Sequence, residues 1–130
     1  MEKNKKMLLW LIPFGVIAGI VMISLHKKPN LEELANDFIR NLAAKNYQEA
    51  YDLTSKNFQN SVNITDFPQK IMDSSFSKLN GINWVKQSFQ GNVGTLAGEG
   101  VLKEGGSMPV IFIYHRNMYA WKLNEIRSNK

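Results

Sequence analysis

Met108-Pro109-Val110-Ile111-Phe112-Ile113-Tyr114-His115 decides the fold of this chain. Positions 110 to 114 are all apolar or aromatic, whereas a strand with one wet face alternates apolar and polar residues. The run therefore predicts a central strand covered on both faces. Its second apolar face has to be covered by helices or to meet another protein.

Similar short runs lie on either side: Asn83–Gln90, about Thr95–Lys103, and Ala120–Arg127. Gly91-Asn92, Glu104-Gly105-Gly106 and Arg116-Asn117 separate them, and such residues favour tight turns. Successive strands joined so closely predict an antiparallel meander. Gly98 and Gly100 share a strand face with Leu96 and Leu102. Glycine there permits curvature, a bulge or close helix approach, or it simply weakens a solvent edge.

Before Gly81 the apolar spacing is helical. Asn30 and Glu33 have the N-cap and N3 spacing of a capping box. Leu31, Leu34, Phe38 and Leu42 then form an apolar stripe, widened by Ala35 and Ile39. This predicts a helix over roughly 31–44, with Glu32, Asn36, Asp37 and Arg40 mainly outward. After a break at Lys45-Asn46, the spacing of Asn46 and Glu49 opens a second short helix carrying Tyr47, Ala50, Tyr51 and Leu53. Thr65-Asp66-Phe67-Pro68 reads as a third helix start, because proline has no N–H to lose in a first turn. Asn80-Gly81 is expected to end that helical segment.

Three helices followed by a curved antiparallel sheet make an α+β plan. Two segments carry a family resemblance: Phe38-Ile39-Arg40-Asn41-Leu42-Ala43-Ala44-Lys45-Asn46-Tyr47-Gln48-Glu49-Ala50-Tyr51 and Trp121-Lys122-Leu123-Asn124-Glu125-Ile126. They resemble the opening helix, polar break and x-x-Ala-Tyr segment, and the final strand, of the nuclear-transport-factor-2-like or cystatin-like superfamily. Together they bracket residues 31–127. The resemblance implies a helices-then-antiparallel-sheet cone, often with a cavity. It implies no single function, since such folds host enzymes, ligand binders and assembly subunits. The usual early strand of the family has to fit into about 58–62 or be absent.

At the other end, Met7–Leu25 runs nineteen positions without a charge. A helix of that length reaches about 28 Å, near the bilayer's apolar thickness of about 30 Å. The stretch is longer than a signal peptide's apolar core, and no small-x-small cleavage site precedes His26-Lys27-Lys28. We read residues 1–6 as a basic cytoplasmic tail, 7–25 as a transmembrane anchor, 26–30 as a linker and 31–130 as the α+β domain. Three lysines precede the span and two follow it, which favours a cytoplasmic N-terminus and an extracytoplasmic domain, as at a bacterial inner membrane. Gly15, Ala18 and Gly19 form a small-residue face on which a second helix can pack closely.

Charge and composition narrow the function classes. The chain carries sixteen Lys/Arg and eleven Asp/Glu, for a net charge of +5. Residues 1–29 hold five of those bases and one acid, so the remainder is nearly neutral. The basic excess is placed to meet lipid headgroups, and nucleic acid is not an expected partner. Absence of cysteine excludes disulfides, thiolate catalysis and Cys-based zinc sites. No metal-ligand motif or phosphate loop is present, and no metal or cofactor is expected.

His115 beside a turn reads as a solvated strand end, Asp37 as a polar-face residue, and Asp66 as a favourable charge at a helix start. Tyr47, Tyr51, Trp84, Phe112, Tyr114 and Trp121 are the candidates for lining an apolar pocket, although core packing is the commoner use of such residues. The leading expectation is a membrane-anchored, non-enzymatic binding module. It would serve as an accessory, assembly or structural subunit, with an integral-membrane partner or a second copy engaged through the anchor. The alternative is a membrane-tethered pocket for a small apolar molecule or lipid, and an enzyme using an Asp or His115 ranks last.

Overall fold

The computed structural model describes residues 29–128. Helix α1 spans Leu31–Ala43, α2 Tyr47–Asp52, α3 Lys56–Ser61 and α4 Phe67–Asp73. A 3₁₀ turn, Ser75–Lys78, leads into strands β1 (Leu79–Gln90), β2 (Val93–Leu102), β3 (Ser107–Asn117) and β4 (Ala120–Ser128). Neighbouring strands are antiparallel in the order β1-β2-β3-β4. The α+β plan of helices followed by an antiparallel meander is what the sequence predicts.

Helix α1 begins where the Asn30 side chain accepts hydrogen bonds from the amides of Glu32 and Glu33. The remaining first-turn amide of Leu31 donates to Gln87 Oε1 on β1 at 2.9 Å, so the sheet itself helps cap the helix. Leu31, Ala35, Phe38 and Leu42 are buried along one stripe. At the far end the Asn46 amide donates to Asn41 O and the Lys45 amide to Leu42 O. This is a Schellman ending, with Lys45 in the left-handed region at φ +64°. That geometry is the sharp break before α2. Asn46 stands at the N-cap of α2 without a side-chain cap bond.

Several sequence expectations are corrected. Residues 58–62 do not form the early strand, because Lys56–Ser61 is helix α3, capped by the Ser55 hydroxyl accepting from the Phe58 amide. What reaches the sheet from this region is a single parallel bridge, Thr54 to Leu123. Ser55 N donates to Leu123 O, and Leu123 N donates to Leu53 O. Asn80-Gly81 does not end a helix either. It lies inside β1, where Gly81 pairs with Val101. The last helical segment stops at Lys78 instead.

The last turn is also displaced. Arg116 and Asn117 continue β3, pairing with Trp121 and Ala120. Met118-Tyr119 make the turn, with Met118 at φ +61°.

Buried side chains collect between α1, α4 and the inner face of the sheet: Phe38, Phe67, Leu96, Met108, Val110, Phe112, Tyr114 and Leu123. Each large apolar side chain fully buried here contributes about 1.5–3 kcal/mol. Phe112 is central, with Phe38, Phe76, Trp84 and Tyr114 around its ring at centroid distances of 5.1–6.4 Å. The glycines of β2 serve close strand approach. A Cβ on Gly98 would stand 2.6 Å from Asn83 O and 2.8 Å from the Trp84 ring, and one on Gly100 would stand 2.5 Å from Leu79. What crowds them across the strand pair is β1, at and beyond its irregularity between Trp84 and Lys86, with Val110 of β3 also close to Gly100.

Of the two ways to cover both faces of β3, cover by helices on each side is not found among the described residues. Met108, Val110, Phe112 and Tyr114 are buried, but Ile111, Ile113 and His115 on the alternate face are only partly so. All the helices described pack on the inner side, so among the described residues nothing lies over the outer side.

Candidate functional site

The outer face can be assembled from the register. Ile111 pairs with Ala97 on one side and Arg127 on the other. Ile113 pairs with Thr95 and Glu125, and His115 with Val93 and Lys122. On β1, Lys86 stands opposite Ala97 and Ser88 opposite Thr95. The result is an apolar strip of Val93, Ala97, Ile111 and Ile113, bordered by Lys86, Lys122, Glu125 and Arg127. Arg127 Nε donates to Glu125 Oε2 at 2.8 Å, and this bond holds the Glu125 carboxyl below the usual carboxylate range. A surface depression of about 490 Å³ adjoins the strip, lined by Pro109, Ile111, Ile126, Arg127 and Ser128. Chemically, an apolar strip with charges of both signs at its border suits a protein surface, with its centre desolvated and its rim wet.

The six aromatic candidates are distributed through the inner core. Phe112 and Tyr114 are buried on β3, and Tyr51 is buried on α2 with its hydroxyl donating to Val62 O at 2.8 Å and Gln59 O a second acceptor within reach at 3.2 Å. Tyr47 packs edge-on against Phe67, and Trp121 against Phe89. Trp84 packs edge-on against Phe112 while its indole N–H donates to Asn36 Oδ1 at 3.1 Å. Phe112 is the hub that brings Trp84 and Tyr114 together, Phe67 brings Tyr47 and Tyr51 together, and Trp121 packs apart from both. Trp84 also lines a surface cavity of about 450 Å³ with Pro29, Asn30, Val85 and Lys86.

Among the described residues, one buried side-chain polar atom has no hydrogen-bond partner: the Tyr114 hydroxyl. Burial pushes that group above its ordinary value of 10.0, and the nearby Asp37 carboxylate adds to the shift. Asp37 itself is paired with Arg40. Asp66 stands at the N-cap of α4 without a side-chain cap bond. His115 faces outward at the border of the apolar strip. No group of three or more His, Cys, Asp or Glu among the described residues is arranged to hold a metal.

A second apolar feature was not anticipated from sequence. Ile39, Leu42, Ile71, Phe76, Leu79 and Ile82 line a cleft of about 370 Å³ between the end of α1, α4, the 3₁₀ turn and the start of β1. The signal was there as an apolar stripe on each element. Their meeting depends on β1 beginning at Leu79, inside the segment that reads locally as a helix end.

Gly15, Ala18 and Gly19, with the whole 7–25 stretch, lie outside the described residues. Among the described residues no helix is long and apolar enough to cross a membrane. No protein-family model matches the chain, and no curated protein matches it. Among solved structures it is similar to an NTF2-like protein of unknown function from Cytophaga hutchinsonii. That similarity has a TM-score of 0.45 at 14% identity, covering 80% of this chain and 94% of that one.

Proposed function

We propose that this chain is a single-pass membrane-anchored binding module of the nuclear-transport-factor-2-like class, acting as an accessory, assembly or structural subunit of a membrane protein complex. Residues 7–25 hold it in the bilayer, with the domain on the extracytoplasmic side. The observation that carries the reading is the outer sheet face, where the central strand places Ile111 and Ile113 opposite Ala97 and Thr95 with no described element over them. Apolar side chains at the centre of a sheet face, ringed by charge, match the composition of a partner surface. The partner is an integral-membrane protein that also packs on the Gly15/Ala18/Gly19 side of the anchor.

The test is affinity purification of the tagged full-length protein in mild detergent. The expected result is a defined partner at near-stoichiometric yield, lost in an Ile111→Lys/Ile113→Lys variant and weakened in Gly15→Ile/Gly19→Ile. Equal recovery from all three proteins, or a partner-free protein throughout, sinks the reading.

A second reading has one observation in its favour, the apolar cleft lined by Ile39, Leu42, Ile71, Phe76, Leu79 and Ile82. In that case the tethered domain carries a small apolar molecule or lipid. Native mass spectrometry of the purified full-length protein separates the two, since a carried ligand appears as an added mass that a Leu42→Trp substitution removes.

A further inference from the structure

Met118 and Tyr119, the tip of the β3–β4 hairpin, are 78% and 74% exposed. A two-residue hairpin turn with positive φ ordinarily uses Asn or Gly, whereas here Met118 occupies the left-handed position at φ +61°. Two large apolar or aromatic residues thus stand in solvent where small polar ones serve the turn better.

The position of this tip relative to the start of the domain gives it meaning. Helix α1 enters beside the same end of the sheet: the Leu31 amide is bonded to Gln87, and the Leu31 side chain lies 3.0 Å from where a Cβ on Gly94 would be. Gly94 pairs with Tyr114. From Tyr114 the hairpin continues four residues to Met118, about 14 Å at strand rise. It passes the β1–β2 turn, where the Arg116 amide donates to Asn92 O at 2.8 Å. The tip therefore projects beyond the point where the chain leaves the domain. From Leu31 back to Leu25, the last residue of the apolar stretch, the linker spans at most about 20 Å when fully extended. The polar headgroup layer occupies about 5–7 Å of that on each side of a bilayer.

We propose that Met118 and Tyr119 contact the lipid headgroup interface, giving the domain a second point of membrane contact and a fixed orientation. This rests on the reading of residues 7–25 as an anchor. A short tether holds the α1 end of the domain close to the bilayer, and the hairpin is the part of that end that reaches furthest. Tyrosine is favoured at the interface because its ring is apolar and its hydroxyl is wet, and methionine adds apolar area. The Gly105-Gly106 turn, at the opposite end of β2, is directed away from the lipid. So are the uncovered strip residues toward the Met108 end, which this orientation leaves free for a protein partner.

The chain has no cysteine, so single-cysteine probes are clean. Full-length protein in phosphatidylcholine vesicles is labelled with an environment-sensitive fluorophore at Val16→Cys, Asn117→Cys or Glu104→Cys, and challenged with lipids spin-labelled at headgroup or mid-chain depth. We expect mid-chain quenching at 16, headgroup-depth quenching and a blue shift at 117, and neither at 104. The signal at 117 is expected to disappear in a Met118→Asp/Tyr119→Asp background. Quenching at 16 without quenching at 117 overturns the inference and leaves the anchor standing. Quenching at 117 that survives the aspartates also overturns it, because nearness then comes from the tether alone. A blue shift at 117 without lipid quenching overturns it in favour of a protein covering the tip. No quenching at 16 removes the anchor and this inference together.

Discussion

The two faces of β3 carry nearly the same chemistry and have different surroundings. Inward, Val110, Phe112 and Tyr114 meet helix α1 and a ring of aromatics. Outward, among the described residues, Ile111 and Ile113 face their strand neighbours and the charged border. Apolar content alone therefore does not identify core. Coverage does, and in this domain all the described helices lie on one side. A sheet that keeps isoleucine on its open side retains hydrophobic free energy that folding of the described residues does not use, and that free energy is available for association.

Truncating one residue from each face separates the two environments most strongly. Phe112→Ala removes the hub of the inner aromatic cluster and is expected to cost about 3–5 kcal/mol. Ile113→Ala on the open face is expected to cost less, about 1–2 kcal/mol, since the side chain is only partly buried and leaves no closed cavity. Chemical denaturation of the full-length protein in detergent, followed by near-UV circular dichroism, measures both. Equal losses at the two sites mean that the outer face is covered in the native protein.

Glycine gives the next contrast. Gly98→Ala forces a methyl group against the Asn83 carbonyl oxygen and the Trp84 ring, with an expected cost of about 1–3 kcal/mol from overpacking. Gly81→Ala meets nothing within 4 Å and is expected to change stability by no more than about 0.5 kcal/mol. The same denaturation curves decide it, and a neutral Gly98→Ala contradicts the close approach of β1 to β2.

How much of this was legible in the sequence follows from which interactions are local. Helix α1 was readable because its cap and its apolar stripe are both short-range patterns, and Asn30 and the Leu31–Leu42 spacing behave accordingly. The meander was readable from its turn residues. Asn80-Gly81 misled because a dipeptide that favours a turn is held extended by pairing with Val101, a long-range contact. The last turn lies two residues beyond Arg116-Asn117, whose turn chemistry is overridden by pairing with Trp121 and Ala120, and the chain bends at Met118-Tyr119. For the candidate site, the second apolar face of β3 was visible in the run 110–114. Its lack of cover was not, because coverage depends on where every helix lands. The six aromatics were legible as large apolar side chains, and only the assembled fold shows that they pack into one core, Trp84 and Tyr114 around Phe112 and Tyr47 and Tyr51 around Phe67.

Tyr114 offers a finer test, within the inner face itself. Its hydroxyl is buried without a partner, so removing it is expected to help: Tyr114→Phe should raise stability by about 1 kcal/mol at neutral pH. The pH dependence has a definite sign. Burial raises the folded-state pKa above the unfolded value near 10.0, so the folded state retains a proton that the unfolded chain gives up. The neutral hydroxyl's contribution is constant below pH 10 and is lost as pH rises past it, at up to about 1.4 kcal/mol per unit. Stability measured from pH 8 to 11 is therefore expected to fall more steeply in the parent protein than in Tyr114→Phe. Parallel curves place the hydroxyl in contact with water.

The smallest effect belongs to the charged border of the open face. The Arg127 hydrogen bond holds the Glu125 carboxyl below its ordinary value of 4.5. Its contribution is present above that value and is lost as pH falls through the depressed one. Both side chains are well exposed, so water and salt screen the attraction. Glu125→Gln is expected to leave the melting temperature unchanged in high salt, with a slight decrease in low salt at neutral pH that vanishes in acid. A decrease that persists in high salt requires a desolvated pair, which places a covering surface over Ile111 and Ile113. A weak, exposed ion pair is for that reason a sensitive reporter of whether the open face is open.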